Sequence, residues 1–108
     1  KVAAMGELFG VRTAWHGPGD VSPVGHAANL HLDLVCPNFG VQEFAPFSEA
    51  EQEVFPGCPE VRQGYLYPNE RPGLGVDMDE AKAARHACFE GPDAWTLTRR
   101  ADGGAARP

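Results

Sequence analysis

The sequence predicts part of an α/β barrel. Three observations carry that reading. Val11-Arg12-Thr13-Ala14-Trp15 is a short apolar run that ends in the polar cluster His16-Gly17-Pro18-Gly19-Asp20. Asn38-Phe39-Gly40-Val41 is a second such run and ends in Gln42-Glu43. A single helix-length segment separates them. Strand, crossover helix and strand run parallel, so both strand ends face the same way. His16, Asp20 and Glu43 then share one rim, where barrels of this class build their active sites.

The elements follow in order. Residues 1–9 carry Val2, Met5, Leu8 and Phe9 at helical spacing, with Gly10 placed to cap the end. Residues 11–15 form a strand bounded by glycine, and Gly17, Pro18 and Gly19 then forbid regular structure and allow close approach of a ligand. Ser22 is a good N-cap and Pro23 suits the first helical position. That helix runs from about 22 to 35, with Ala27, Leu30, Leu34 and Val35 as its apolar stripe, and Pro37 stops it. Residues 38–43 form the second strand, with Phe39, Val41 and Glu43 on one face. Ser48 caps a short helix over 49–54, residues 61–67 read as one extended segment, and 72–77 is turn-rich. Asp77 or Asp79 caps a helix reaching about Arg85, residues 95–100 read as a last strand, and 101–108 as a frayed tail.

Size and charge bound the function. The chain has 108 residues, enough for one small domain, with 15 acidic against 9 basic side chains and a net charge of -6. The longest basic run is Arg99-Arg100, which disfavours nucleic acid and anionic membrane as partners. No segment approaches the ~20 apolar residues of a membrane span, and the mixed residues after Lys1 do not read as a signal peptide. Cys36, Cys58 and Cys88 form no CxxC and have no histidine at zinc-ligand spacing, so reduced thiols in a cytoplasmic protein are expected. Two parallel strands alone leave long unpaired edges, and a full barrel needs ~250 residues. The expectation is therefore a piece of a longer chain, with the other strands preceding Lys1.

The run Arg12-Thr13-Ala14-Trp15-His16-Gly17-Pro18-Gly19-Asp20, with Ser22-Pro23-Val24-Gly25-His26-Ala27-Ala28 and Asn38-Phe39-Gly40-Val41-Gln42-Glu43, resembles the mannonate dehydratase group of the enolase superfamily. Gly64-Tyr65-Leu66 and Pro72-Gly73-Leu74-Gly75-Val76 look like the closing segment of that superfamily more broadly. The resemblance implies that residues 1–45 are the last βα units of a TIM-like barrel, strands seven and eight, and that 46–108 is a capping segment returning to an N-terminal domain. It implies Mg2+-dependent dehydration of D-mannonate, and for some members D-gluconate, to 2-keto-3-deoxy-D-gluconate. The Mg2+ ligands and the Tyr and His acid/base pair would lie upstream, leaving the isolated piece without catalytic residues and inactive. His16, Asp20 and Glu43 would bind substrate hydroxyls. Pro18 would shape the pocket, since some members carry Ala there and differ in activity and substrate breadth. Family members often end in a Trp that reaches the site; the tail Ala105-Ala106-Arg107-Pro108 has none. A homo-oligomer is also implied. The competing readings are a dehydratase for another acid sugar and a non-catalytic or regulatory homologue.

The remaining conspicuous residues have structural readings. Arg12 suits an ion pair low in the barrel. Trp15 and Trp95 suit packing, His86 a helix end, and His26 and His31 different faces of one helix, with no metal role.

Overall fold

The computed structural model describes residues 1–87 and Asp102. Helix α1, Val2–Leu8, ends as expected: Gly10 adopts a φ of 67° and donates to the Glu7 carbonyl at 3.0 Å. Its apolar residues do not find a core, and Val2, Met5, Leu8 and Phe9 are all exposed.

The two expected strands contract to one parallel bridge, Thr13 with Phe39. Thr13 N–H donates to the Asn38 carbonyl at 2.9 Å, and Gly40 N–H donates to the Thr13 carbonyl at 3.0 Å. The direction is the expected one, but the ladder does not extend over 11–15 and 38–43. A parallel strand is normally held by neighbours on both sides, and among the described residues each has one. The Asn38 side chain pins the start of the first run, donating to the Val11 carbonyl at 2.8 Å and the Ala3 carbonyl at 3.0 Å.

Helix α2, Pro23–Val35, connects the two runs and begins as the sequence directs, with the Ser22 hydroxyl accepting from Gly25 N–H at 3.3 Å. Its buried face is Pro23, His26, Ala27, Leu30 and Asp33, whereas Leu34 and Val35 are exposed. The spacing is helical, but two of its members are polar, and the stripe is rotated from the all-apolar one. Asp33 lies on the wall of an open groove with Leu30, Phe39, Phe44 and Leu66, and both of its carboxylate oxygens lack hydrogen-bond partners.

From residue 48 to 87 the chain is built of short helices, turns and one hairpin. Helix α3, Glu49–Val54, carries a full capping box: Ser48 Oγ accepts from Glu51 N–H, and the Glu51 carboxylate accepts from Ser48 N–H at 2.7 Å. Those Ser48 hydrogen bonds hold the Glu51 carboxyl below its ordinary range. The expected extended segment 61–67 is instead a hairpin, β1 Glu60–Arg62 paired with β2 Tyr65–Tyr67. Gln63 and Gly64 both adopt positive φ, 51° and 82°, which makes the tight turn whose twist matches antiparallel strands. Asn69 then gathers the following loop, donating to the carbonyls of Gly57 and Gly75. Asp79, rather than Asp77, caps α4, Glu80–Ala83, and Asp79 N–H donates to the Val54 carbonyl at the end of α3. The expected extension to Arg85 is a tighter turn of i to i−3 bonds at Arg85 and His86. The expected strand 95–100, Trp95, Cys88 and residues 101 and 103–108 of the tail lie outside the described residues.

Desolvation raises the Asp33 carboxyl from 3.8 to about 6. A raised carboxyl binds its proton more tightly in the folded chain. The folded state is therefore penalised above pH 6, and the penalty fades as pH falls towards 4. Asp33→Asn should raise the urea midpoint of the chain, followed by far-ultraviolet circular dichroism, at pH 8 and leave it unchanged at pH 4. An equal gain at both pH values would show that the carboxylate charge is not the cause.

Candidate substrate-binding site

The site is assembled by backbone first. With Thr13 paired to the segment after α2, the loop beginning at His16 and the segment ending at Glu43 leave the bridge side by side. The Glu43 carboxylate turns back to accept from Gly17 N–H at 3.0 Å. His16 Nε2 stands 3.8 Å from the same carboxylate oxygen. Both side chains remain open to solvent, 82% for His16 and 54% for Glu43. An imidazole and a carboxylate thus stand side by side, both open to solvent.

Glu43 is therefore not the buried carboxylate on an apolar face that strict alternation with Phe39 and Val41 implies. The alternation lapses past the single bridge, and Phe39 and Val41 are themselves exposed. Asp20 is exposed in the turn ahead of Ser22, and the pairing of His16 with Glu43 does not include it. Arg12 takes part in none of the ion pairs among the described residues, which are His16–Glu43, Arg62–Glu60 and Lys82–Asp79. Its side chain lies against Gly40 instead.

Gly17 is where the site is tightest. A Cβ there would run into the Glu43 carbonyl oxygen and stand 2.8 Å from His26 Cε1 and 3.1 Å from Gln42 Nε2. The absent side chain serves contact between two protein segments, not only room for a ligand. Helix α2 holds the same loop from behind. Asn29 Nδ2 donates to the His16 carbonyl at 3.0 Å, and His26 Nε2 lies 3.4 Å from the Pro18 carbonyl. Sequence reasoning missed His26 and Asn29; their i, i+3 spacing on one helix face was the available signal.

The geometry offers no metal cage of its own. Among the described residues, no three His, Cys, Asp or Glu side chains cluster as a metal site would need. Nor does a cysteine nucleophile emerge among the described residues. Cys36 and Cys58 are free thiols, and burial pushes the Cys58 thiol up, which disfavours the reactive thiolate. No helix among the described residues is long and apolar enough to cross a membrane.

Residues 1–82 match the Enolase C-terminal domain-like family. The chain belongs to that family. A D-galactonate dehydratase family member of Salmonella virchow is 60% identical over 108 residues, covering 100% of this chain and 26% of the relative. A crystal structure of an enolase from Pantoea ananatis with bound D-gluconate and Mg is 58% identical with a TM-score of 0.85, over 99% of this chain and 26% of that one. A mandelate racemase/muconate lactonizing enzyme from Jannaschia sp. CCS1 is 30% identical with a TM-score of 0.73, over 84% of this chain and 23% of that one. The chain thus spans about a quarter of the length of the curated relatives it matches. Its fold is that of part of the enolase-superfamily C-terminal barrel domain.

The Gly17–Glu43 contact gives a direct prediction. A hydrogen bond to a charged acceptor contributes about 1.5–3 kcal/mol, so Glu43→Ala should speed exchange of the Gly17 amide at least ~10-fold. Exchange followed by nuclear magnetic resonance at an unchanged rate would show that the carboxylate does not hold the loop.

Proposed function

We propose that this chain forms the substrate-gripping part of a Mg2+-dependent sugar-acid dehydratase. The observation that carries the reading is the pairing of His16 and Glu43 at the ends of two parallel segments. It occurs in a chain 60% identical along its whole length to a D-galactonate dehydratase family member. A sugar acid presents a row of hydroxyls. An exposed imidazole and an exposed carboxylate 3.8 Å apart suit such a row, with Asp20 reaching it from the neighbouring turn and Pro18 limiting the space. D-Gluconate is supported as a ligand by the Pantoea ananatis structure, and D-mannonate by the His16–Asp20 run; either would give 2-keto-3-deoxy-D-gluconate.

The division of labour follows from the chemistry. Removing the weakly acidic proton beside a carboxylate needs a base and a cation that stabilises the enediolate, and expelling the 3-hydroxyl needs a general acid. The described residues hold no metal-binding cluster. The Mg2+ ligands and a Tyr and His acid/base pair are assigned to the rest of a full-length enzyme. What this chain does is orient the substrate, where a displacement of about 1 Å can cost a hundredfold in rate. In the same reading, residues 1–45 are the last βα units of the barrel and 46–108 its capping segment, in a cytoplasmic homo-oligomer.

The test is a chimera in which this chain replaces the matching segment of the Pantoea ananatis protein. It should release water from D-mannonate or D-gluconate with Mg2+ and not with EDTA, while the isolated chain should turn over neither. Glu43→Gln should lower kcat/KM by about a hundredfold with an unchanged circular dichroism spectrum. A folded chimera silent across a panel of sugar acids would favour a non-catalytic homologue. An unchanged rate in Glu43→Gln would remove that residue from the site.

A further inference from the structure

The His26 ring lies on the hidden side of the loop that carries His16. It is 0% exposed. One edge reaches the loop: Nε2 is 3.4 Å from the Pro18 carbonyl, and Cε1 is 2.8 Å from where a Cβ on Gly17 would stand. The rest of the ring packs against the segment that follows Glu43. Its centroid is 4.9 Å from Phe44 and 5.2 Å from Phe47, both edge to face, and those two rings are 5.1 Å apart. One side chain therefore touches both halves of the site.

An imidazole is an expensive choice for that position. Its Nδ1 is buried without a partner, which a phenylalanine or leucine of similar size would avoid. What the imidazole adds is a donor at Nε2. A carbonyl only accepts, so the contact with Pro18 requires the proton on Nε2. We propose that His26 is a positioning residue: its Nε2–H, donating to the Pro18 carbonyl, seats the His16–Asp20 loop over Glu43 and so sets the grip on the sugar acid. This rests on the assignment of His16 and Glu43 to substrate binding.

Two measurements test it. Long-range proton–nitrogen correlation spectra of the chain should show His26 protonated on Nε2; a proton on Nδ1 alone overturns the proposal. In the Pantoea ananatis chimera, His26→Phe keeps the three-ring cluster and removes the donor, whereas His26→Gln places an amide nitrogen near the Nε2 position. His26→Phe should raise KM for D-gluconate about 10-fold with kcat less affected, the loss of roughly one hydrogen bond, and His26→Gln should stay within about 3-fold of the unsubstituted chimera. Equal KM values for the two variants would overturn the proposal. If His26→Phe does not fold, His26→Leu takes its place in the same comparison. Glu43→Gln measured alongside separates the two failures. If it impairs the chimera while His26→Phe and His26→Gln behave alike, only the role of His26 falls. If it has no effect, the site assignment falls first.

Discussion

Thr13 gives both of its backbone groups to the segment that follows α2: its N–H donates to Asn38, and its carbonyl accepts from Gly40 and Val41. Everything that could act on a ligand depends on that pairing. It brings two stretches far apart in sequence into parallel contact and sets the distance at which they leave it. From there the geometry is steric. Gly17 fits against the Glu43 backbone only because it has no side chain, and the Glu43 carboxylate can then reach back to the Gly17 amide. His16 is left beside that carboxylate with its ring in solvent.

Helix α2 does more than cross over. Ser22 and Pro23 fix where it starts, and that start decides which side chains look at the loop. His26 and Asn29 sit one turn apart and reach the carbonyls of Pro18 and His16. The face that does this is costly. It buries an unpartnered imidazole nitrogen and an unpartnered Asp33 carboxylate where an ordinary amphipathic helix would bury leucine. Such local departures from good packing are expected where a chain is shaped for a site as well as for stability.

Much of this was legible in the sequence. Ser22-Pro23, Ser48 and Gly10 act through their immediate neighbours, and the structure places them as read; the Glu51 half of the capping box was there to be read as well. The parallel direction of the two runs and the meeting of His16 with Glu43 followed from the crossover spacing. What was not legible depends on distant contacts. The strands shrink to one bridge because, among the described residues, each has a single neighbour. The buried stripe of α2 includes His26 and Asp33, polar residues whose burial is set by their surroundings rather than by helical periodicity. The hairpin was hidden because its turn places Gln63, not a typical turn residue, in the left-handed region. Arg12 shows the converse, since strand alternation suggested an ion pair that the described residues do not bring to it.

Whether the paired ends at His16 and Glu43 hold a polyol is decided by a crystal structure of the Pantoea ananatis chimera grown with D-gluconate and Mg2+. Hydroxyl oxygens of the sugar acid should lie within hydrogen-bonding distance of both the His16 imidazole and the Glu43 carboxylate. D-Gluconate bound well away from both side chains, with the His16–Glu43 pair intact, would contradict that role.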